Sequence, residues 1–182
     1  MKVWVLLFVG GCSFAEGWQL PFDRVVKIDR FLNCPEHQNL PLYFENVRFT
    51  PIRKMFYVSG KIVALRNISP NLKLVLKMER CKSKDSWDSC EPYNDLHIKD
   101  ICQTTFSKFK PWTPFVSVLK PQLTCPITKG TYVCSNGTFD GDALAAFPLT
   151  GWFWKIYAKT YEVGESPKLV MCTYVEGQIV NV

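Results

Sequence analysis

The stretch FYVSGKIVALRNISPNLKLVLKM, residues 56–78, decides the fold class. Its first half places Phe56, Val58, Gly60, Ile62 and Ala64 on one face of an extended chain. Its second half sets Leu72, Leu74, Leu76 and Met78 against Lys73, Val75, Lys77 and Glu79. Successive side chains of a strand point to opposite faces, so both halves predict half-buried strands. Asn67-Ile68-Ser69-Pro70-Asn71 between them is rich in turn formers. The reading is therefore an antiparallel hairpin.

The same pattern returns near the C-terminus. Trp152, Trp154, Ile156 and Ala158 alternate with Phe153, Lys155, Tyr157 and Lys159. Gly164-Glu165-Ser166-Pro167 turns the chain, and Leu169, Met171, Thr173 and Val175 lead back. Further strands are predicted near 24–31, 43–49 and 130–139. One segment, Asn94 to Phe106, has Ile98, Ile101, Cys102 and Phe106 at helical spacing, with Asn94 or Asp95 as its cap. After it, Pro111, Pro114 and Pro121 argue against regular structure over 107–124. That segment also carries Phe109, Trp112, Phe115, Val116, Val118 and Leu119, and long loops that persist tend to be lids or binding loops. Together these features predict an all-β protein. It is an antiparallel β-sandwich or β-cup of about eight strands, with one short helix and a long lid loop.

The chain has 182 residues, the length of one domain. Residues 1–15 read as a secretory signal peptide: Lys2, then an apolar run from Val3 to Gly11, then small residues at Ser13 and Ala15. Val9-Gly10-Gly11-Cys12 also loosely fits a bacterial lipoprotein cleavage site. Residues 16–182 would form the single mature domain, secreted or lysosomal. In an oxidising compartment cysteines pair. Loss of Cys12 leaves Cys34, Cys81, Cys90, Cys102, Cys125, Cys134 and Cys172, an odd number, so one thiol lacks an internal partner. Asn67-Ile68-Ser69 and Asn136-Gly137-Thr138 are glycosylation sequons. The mature charge is one less than the full chain's +6. A mild positive balance suits anionic membranes or acidic partners as well as plain solubility. No dense Lys/Arg block exists, which argues against nucleic acid.

Nothing favours an enzyme. Nucleophilic catalysis needs a base in reach of Ser or Cys, and His37 and His97 lie in no nucleophile motif. The closest cysteine pairs have eight residues between them, too far for a zinc motif. No phosphate loop and no paired carboxylates stand out. Neither a metal nor a cofactor is expected. What the chain has in excess is apolar side chains in its loops: Phe109, Trp112, Phe115, Phe147, Leu149 and Trp152. They either complete a filled core or gather as a hydrophobic mouth.

Cys-Pro-Ile-Thr-Lys-Gly-Thr-Tyr, residues 125–132, resembles the C-P-x-x-x-G-x-Y signature of the ganglioside GM2 activator and its arthropod relatives. These belong to the ML lipid-recognition superfamily. Phe147-Pro148-Leu149-Thr150-Gly151-Trp152 resembles the family's step into a long strand, and 169–180 with Cys172 its last strand. The likeness is strongest from Cys125 onward. It implies a β-cup of two antiparallel sheets around a lipid-filled apolar cavity, in a protein that extracts or presents lipids and is not a hydrolase.

On that resemblance, the bridges would be Cys34–Cys172, Cys81–Cys90 and Cys102–Cys125. The family's bridge between lid loop and signature has no counterpart, and Cys134 is left over. If Asn136 carries a glycan and points outward, strand parity turns Cys134 outward too, unless Asn136-Gly137 breaks the strand. Iodoacetamide would then label native protein at Cys134.

The cavity lining would be Val58, Ile62, Leu74, Leu76, Met78, Trp154, Ile156 and Met171. The rim and membrane contact would be Phe109, Trp112, Phe115, Phe147, Leu149 and Trp152. Partners would be a glycolipid, phospholipid or fatty acid, a transient membrane surface, and a lysosomal hydrolase or a receptor. The alternative is an extracellular carrier of a hydrophobic signalling or chemosensory ligand.

Overall fold

The structure, a computed structural model, describes residues 24–52, 55–140 and 149–181, without the side chains of Arg24, Trp87 and Asn181. The expected signal peptide and Phe147 lie outside these residues. Among the described residues, nine antiparallel strands form two open sheets, so the all-β class holds. The larger sheet is ordered β1 (Arg24–Asn33), β9 (Lys168–Asn181), β8 (Phe153–Glu162), β4 (Leu72–Cys81) and β5 (Glu91–Pro92). A three-residue strand, β6 (Leu96–Ile98), also pairs with β4. The smaller sheet is β2 (Leu42–Ile52), β3 (Met55–Ala64) and β7 (Gly130–Gly137).

The C-terminal hairpin forms as expected, with Glu162 opposite Lys168 across the Gly164–Pro167 turn. The 56–78 hairpin does not. β3 pairs with β2 and β7, whereas β4 pairs with β8, and the turn-rich link carries the chain from one sheet to the other. Ile68 shows why. It is only 1% exposed, and its N–H donates to the Ile127 carbonyl at 2.8 Å. A hairpin tip lies in solvent, but this link is packed into the core beside Leu72, Leu119, Leu123 and Ile127. Alternation marks the faces of two strands without saying that they pair with each other.

The helix expected over Asn94–Phe106 is also shorter than its pattern. Only α1 (Ile101–Thr105) is helical. Leu96, His97 and Ile98 instead pair with Leu76, Val75 and Leu74. An open edge of β4 leaves backbone donors and acceptors unpaired, and pairing with 96–98 satisfies them. Asn94 and Asp95 therefore cap nothing, and Asp100 stands at the N-cap in a left-handed conformation, φ 50°. The proline-bearing segment gains a second helix, α2 (Thr113–Ser117). Pro114 falls in its first turn, where a missing N–H costs no hydrogen bond.

One seam between the sheets is closed by an amide. Asn33 Nδ2 donates to the Phe44 carbonyl at 2.7 Å, and Phe44 N–H donates to Asn33 Oδ1 at 3.0 Å. A side chain thus continues the ladder from β1 to β2. Beneath it, Phe31 meets Phe44 edge-on at 4.9 Å. Three disulfides staple the rest: Cys34–Cys172, Cys81–Cys90 and Cys102–Cys125. These are the three pairs implied by the resemblance. The last ties α1 to the segment that leads into β7.

Candidate functional site

Between the sheets lies a cavity of about 420 Å³. The large sheet contributes Val26, Ile28, Leu74, Ala158, Met171 and Val175. The small sheet contributes Phe44, Phe49, Val58 and Ile62. From the helical segment come Ile101, Phe106, Trp112 and Phe115. One charged residue, Lys61, is part of the wall, and its ammonium group pairs with Glu45 at 3.4 Å. The lining is otherwise aliphatic, aromatic, glycine, threonine and cysteine.

Half of the expected lining is in place: Val58, Ile62, Leu74 and Met171. Leu76, Met78, Trp154 and Ile156 do not border the cavity. They follow on the same faces of β4 and β8, but further along, opposite Ala158, Ile156, Arg80 and Met78 respectively. A two-residue period gives the face of a strand and carries no information about distance along it. Trp154 instead packs edge-on against Tyr93 at 5.2 Å and donates its indole N–H to the Leu149 carbonyl at 2.7 Å.

The expected rim also divides. Trp112 and Phe115 border the cavity. Phe109 does not: it is 92% exposed, with φ 60°. Leu149 and Trp152 belong to the cluster around Trp154, where the Arg80 guanidinium lies 4.7 Å from the Trp152 ring. Phe106, from the misread helix, borders the cavity in their stead. β1 and β2 lack a clean alternation of apolar and polar residues, so their lining residues leave no signal in the sequence.

Cys134 is the sharpest correction. It is free but only 4% exposed, and it faces the cavity. Its thiol donates to the Val58 carbonyl at 3.4 Å. The parity with Asn136 fails because β7 carries a bulge there. Gly60 faces Cys134 but Val58 faces Gly137, and Asn136 adopts φ 56° to take up the extra residue. Asn136 can then point outward while Cys134 joins Tyr132 on the inner face. Gly137 makes room for this arrangement. A Cβ there would lie 2.8 Å from Cys134 Sγ and 3.0 Å from the Phe115 ring. Burial pushes the Cys134 thiol pKa up, partly offset by the Gly137 backbone.

Two polar atoms on cavity-lining residues have no hydrogen-bond partner, Trp112 Nε1 and Thr160 Oγ1. His37 and His97 are not in the lining; His37 Nε2 lies 3.4 Å from Lys159 Nζ. Among the described residues the one close group of metal-ligand types is Cys34, Glu36 and Cys172. Its two sulfurs are bonded to each other, so they offer no thiolate. Asn67 and Asn136 both lie at exposed positions. Among the described residues, no helix is long and apolar enough to cross a membrane. No family model matches this chain, and no curated protein matches it.

Proposed function

We propose that this chain is a non-enzymatic lipid-binding and transfer protein of the ML type, working outside the cell or in the lysosome. The observation that carries the reading is the apolar cavity between the sheets. A filled sandwich core leaves few voids larger than a water molecule, whereas here about 420 Å³ remains open. That volume suits one acyl chain or a compact ring system, at the lower end of ordinary small-molecule pockets.

The mechanism is passive. Each methylene moved from water into the cup gains about 0.8 kcal/mol, so a ten-carbon stretch contributes roughly 8 kcal/mol before ordering costs. The headgroup stays at the mouth, near Trp112 and Phe115. The modest volume gives weight to the second reading, a carrier for one small hydrophobic signalling molecule.

Native mass spectrometry of protein from a secretory eukaryotic host tests the proposal. A bound lipid released on unfolding, and uptake of a fluorescent fatty acid once it is stripped, is the expected result. An empty protein that takes up no probe would leave only the fold.

A further inference from the structure

We propose that the cavity is built for a single-chain lipid oxygenated along its buried chain, with Thr160 as the residue that receives the oxygen. This rests on the lipid-binding reading above and specifies its ligand class.

Thr160 stands on β8, with Leu74 on one side and Met171 on the other. All three border the cavity. Thr160 is 2% exposed, and its Oγ1 has no partner. Buried hydroxyls are almost always hydrogen-bonded, and one left unpaired is costly. The usual rescue on a strand is a neighbouring carbonyl, yet none accepts from this hydroxyl. On this proposal a rotation about χ1 between staggered wells presents Oγ1 to the ligand. An oxygen on the ligand chain at that depth would complete its bonding. Valine would fill the same volume without the cost, so the hydroxyl has no packing role.

Trp112 supplies a second, independent point. Its Nε1–H is buried and unpaired, and the residue borders the same cavity beside the exposed 106–109 segment. Indole N–H is a donor only, so it calls for an acceptor oxygen. A fatty-acid-type ligand has one at its head. Two unsatisfied groups, one on the large sheet and one on the helical segment, describe a ligand with oxygen at its end and again along its chain. Hydroxy and oxo acids have that form, and a plain saturated acid satisfies only one group.

The test is dye displacement from stripped protein. The probes are octadecanoic acid and hydroxy- and oxo-octadecanoic acids substituted at successive positions along the chain. One position is expected to bind on the order of tenfold tighter than octadecanoic acid, with its neighbours weaker. In Thr160→Val that advantage should fall to about one. Trp112→Phe should weaken all the acids together and leave the ratio between them. Oxygenated acids that bind no tighter than octadecanoic acid, or an advantage that survives Thr160→Val, overturn the proposal while the lipid reading stands. If no acid displaces the dye, both fall.

Discussion

Arg66 grips Glu162 with both ends of its guanidinium: Nη2 lies 2.6 Å from Oε2 and Nη1 lies 3.0 Å from Oε1. Ser69 N–H adds a third bond, 2.8 Å to Oε1. Arg66 and Ser69 flank Asn67 and Ile68 in the link that leaves the small sheet, and Glu162 ends β8 in the large one. One carboxylate thus fixes the crossover that makes two sheets of what reads as a hairpin.

This pair gives the fold an acid limit. The Arg66 hydrogen bonds hold the Glu162 carboxyl below its ordinary value of 4.5, with help from Ser69 and Lys168 against the effect of burial. A depressed folded-state value contributes stability that is complete above the unfolded value and lost as pH falls through the folded one. Glu162→Gln should therefore cost roughly 1–2 kcal/mol at neutral pH. The difference from the parent should vanish well below pH 4.5. Urea unfolding at both pH values measures it. An equal deficit at both would mean the carboxylate's charge is irrelevant.

Cys134 should resist iodoacetamide in the native protein, contrary to the outward placement that strand parity implies. Its thiol is enclosed and its pKa is raised by burial, so little thiolate is present to react. Unfolding without reductant should release one reactive thiol, at Cys134. Loading a fatty acid should slow the native reaction further, since the thiol faces the same space as the ligand. Fast native labelling that ligand leaves unchanged would place Cys134 outside the cavity.

What was legible in the sequence follows from what alternation encodes. The β8–β9 hairpin could be read because Gly164–Pro167 supplies a polar turn with no buried residue in it. The 67–71 link looked similar but holds Ile68, and an apolar residue among turn formers was the available sign of a buried crossover. The 96–98 strand was hidden for another reason. Its apolar residues fit helical spacing, and only the open edge of β4, a tertiary feature, decides against the helix. In the cavity, the faces of β4 and β8 were legible and the extent along them was not. Trp154 illustrates this: its face is right, but Tyr93 and Leu149 claim it.

The exposed aromatic is the better candidate for membrane contact than the pair that borders the cavity. Phe109 is 92% exposed between Lys108 and Lys110, so it can enter an interface while the lysines meet anionic headgroups. Phe109→Asn removes the ring and suits the left-handed backbone at φ 60°. Sedimentation with anionic vesicles should fall severalfold with no loss of Tm. Unchanged sedimentation would shift the contact elsewhere. Changing Trp112 and Phe115 together to Ser should instead weaken the fold. Phe115 stacks on Phe139 at 5.4 Å and walls the cavity. Its loss should cost about 2 kcal/mol, half the range for a fully buried ring.

Filling the cavity should separate binding from folding. Ala158 borders it from β8, opposite Thr173 on β9, which also lines the space. Ala158→Leu adds three methylene-sized groups to a residue that borders open volume. Burying them offsets the loss of ligand-accessible space with apolar contact. The variant should unfold at the same temperature as the stripped parent, or a few degrees above it, and bind a fluorescent fatty acid at least tenfold more weakly. The parent should gain stability when loaded, as any protein does whose ligand binds only the folded state, and the variant should gain much less. A variant that is strongly destabilised would show the space near Ala158 already filled. One that binds as the parent does would place the chain elsewhere in the cup.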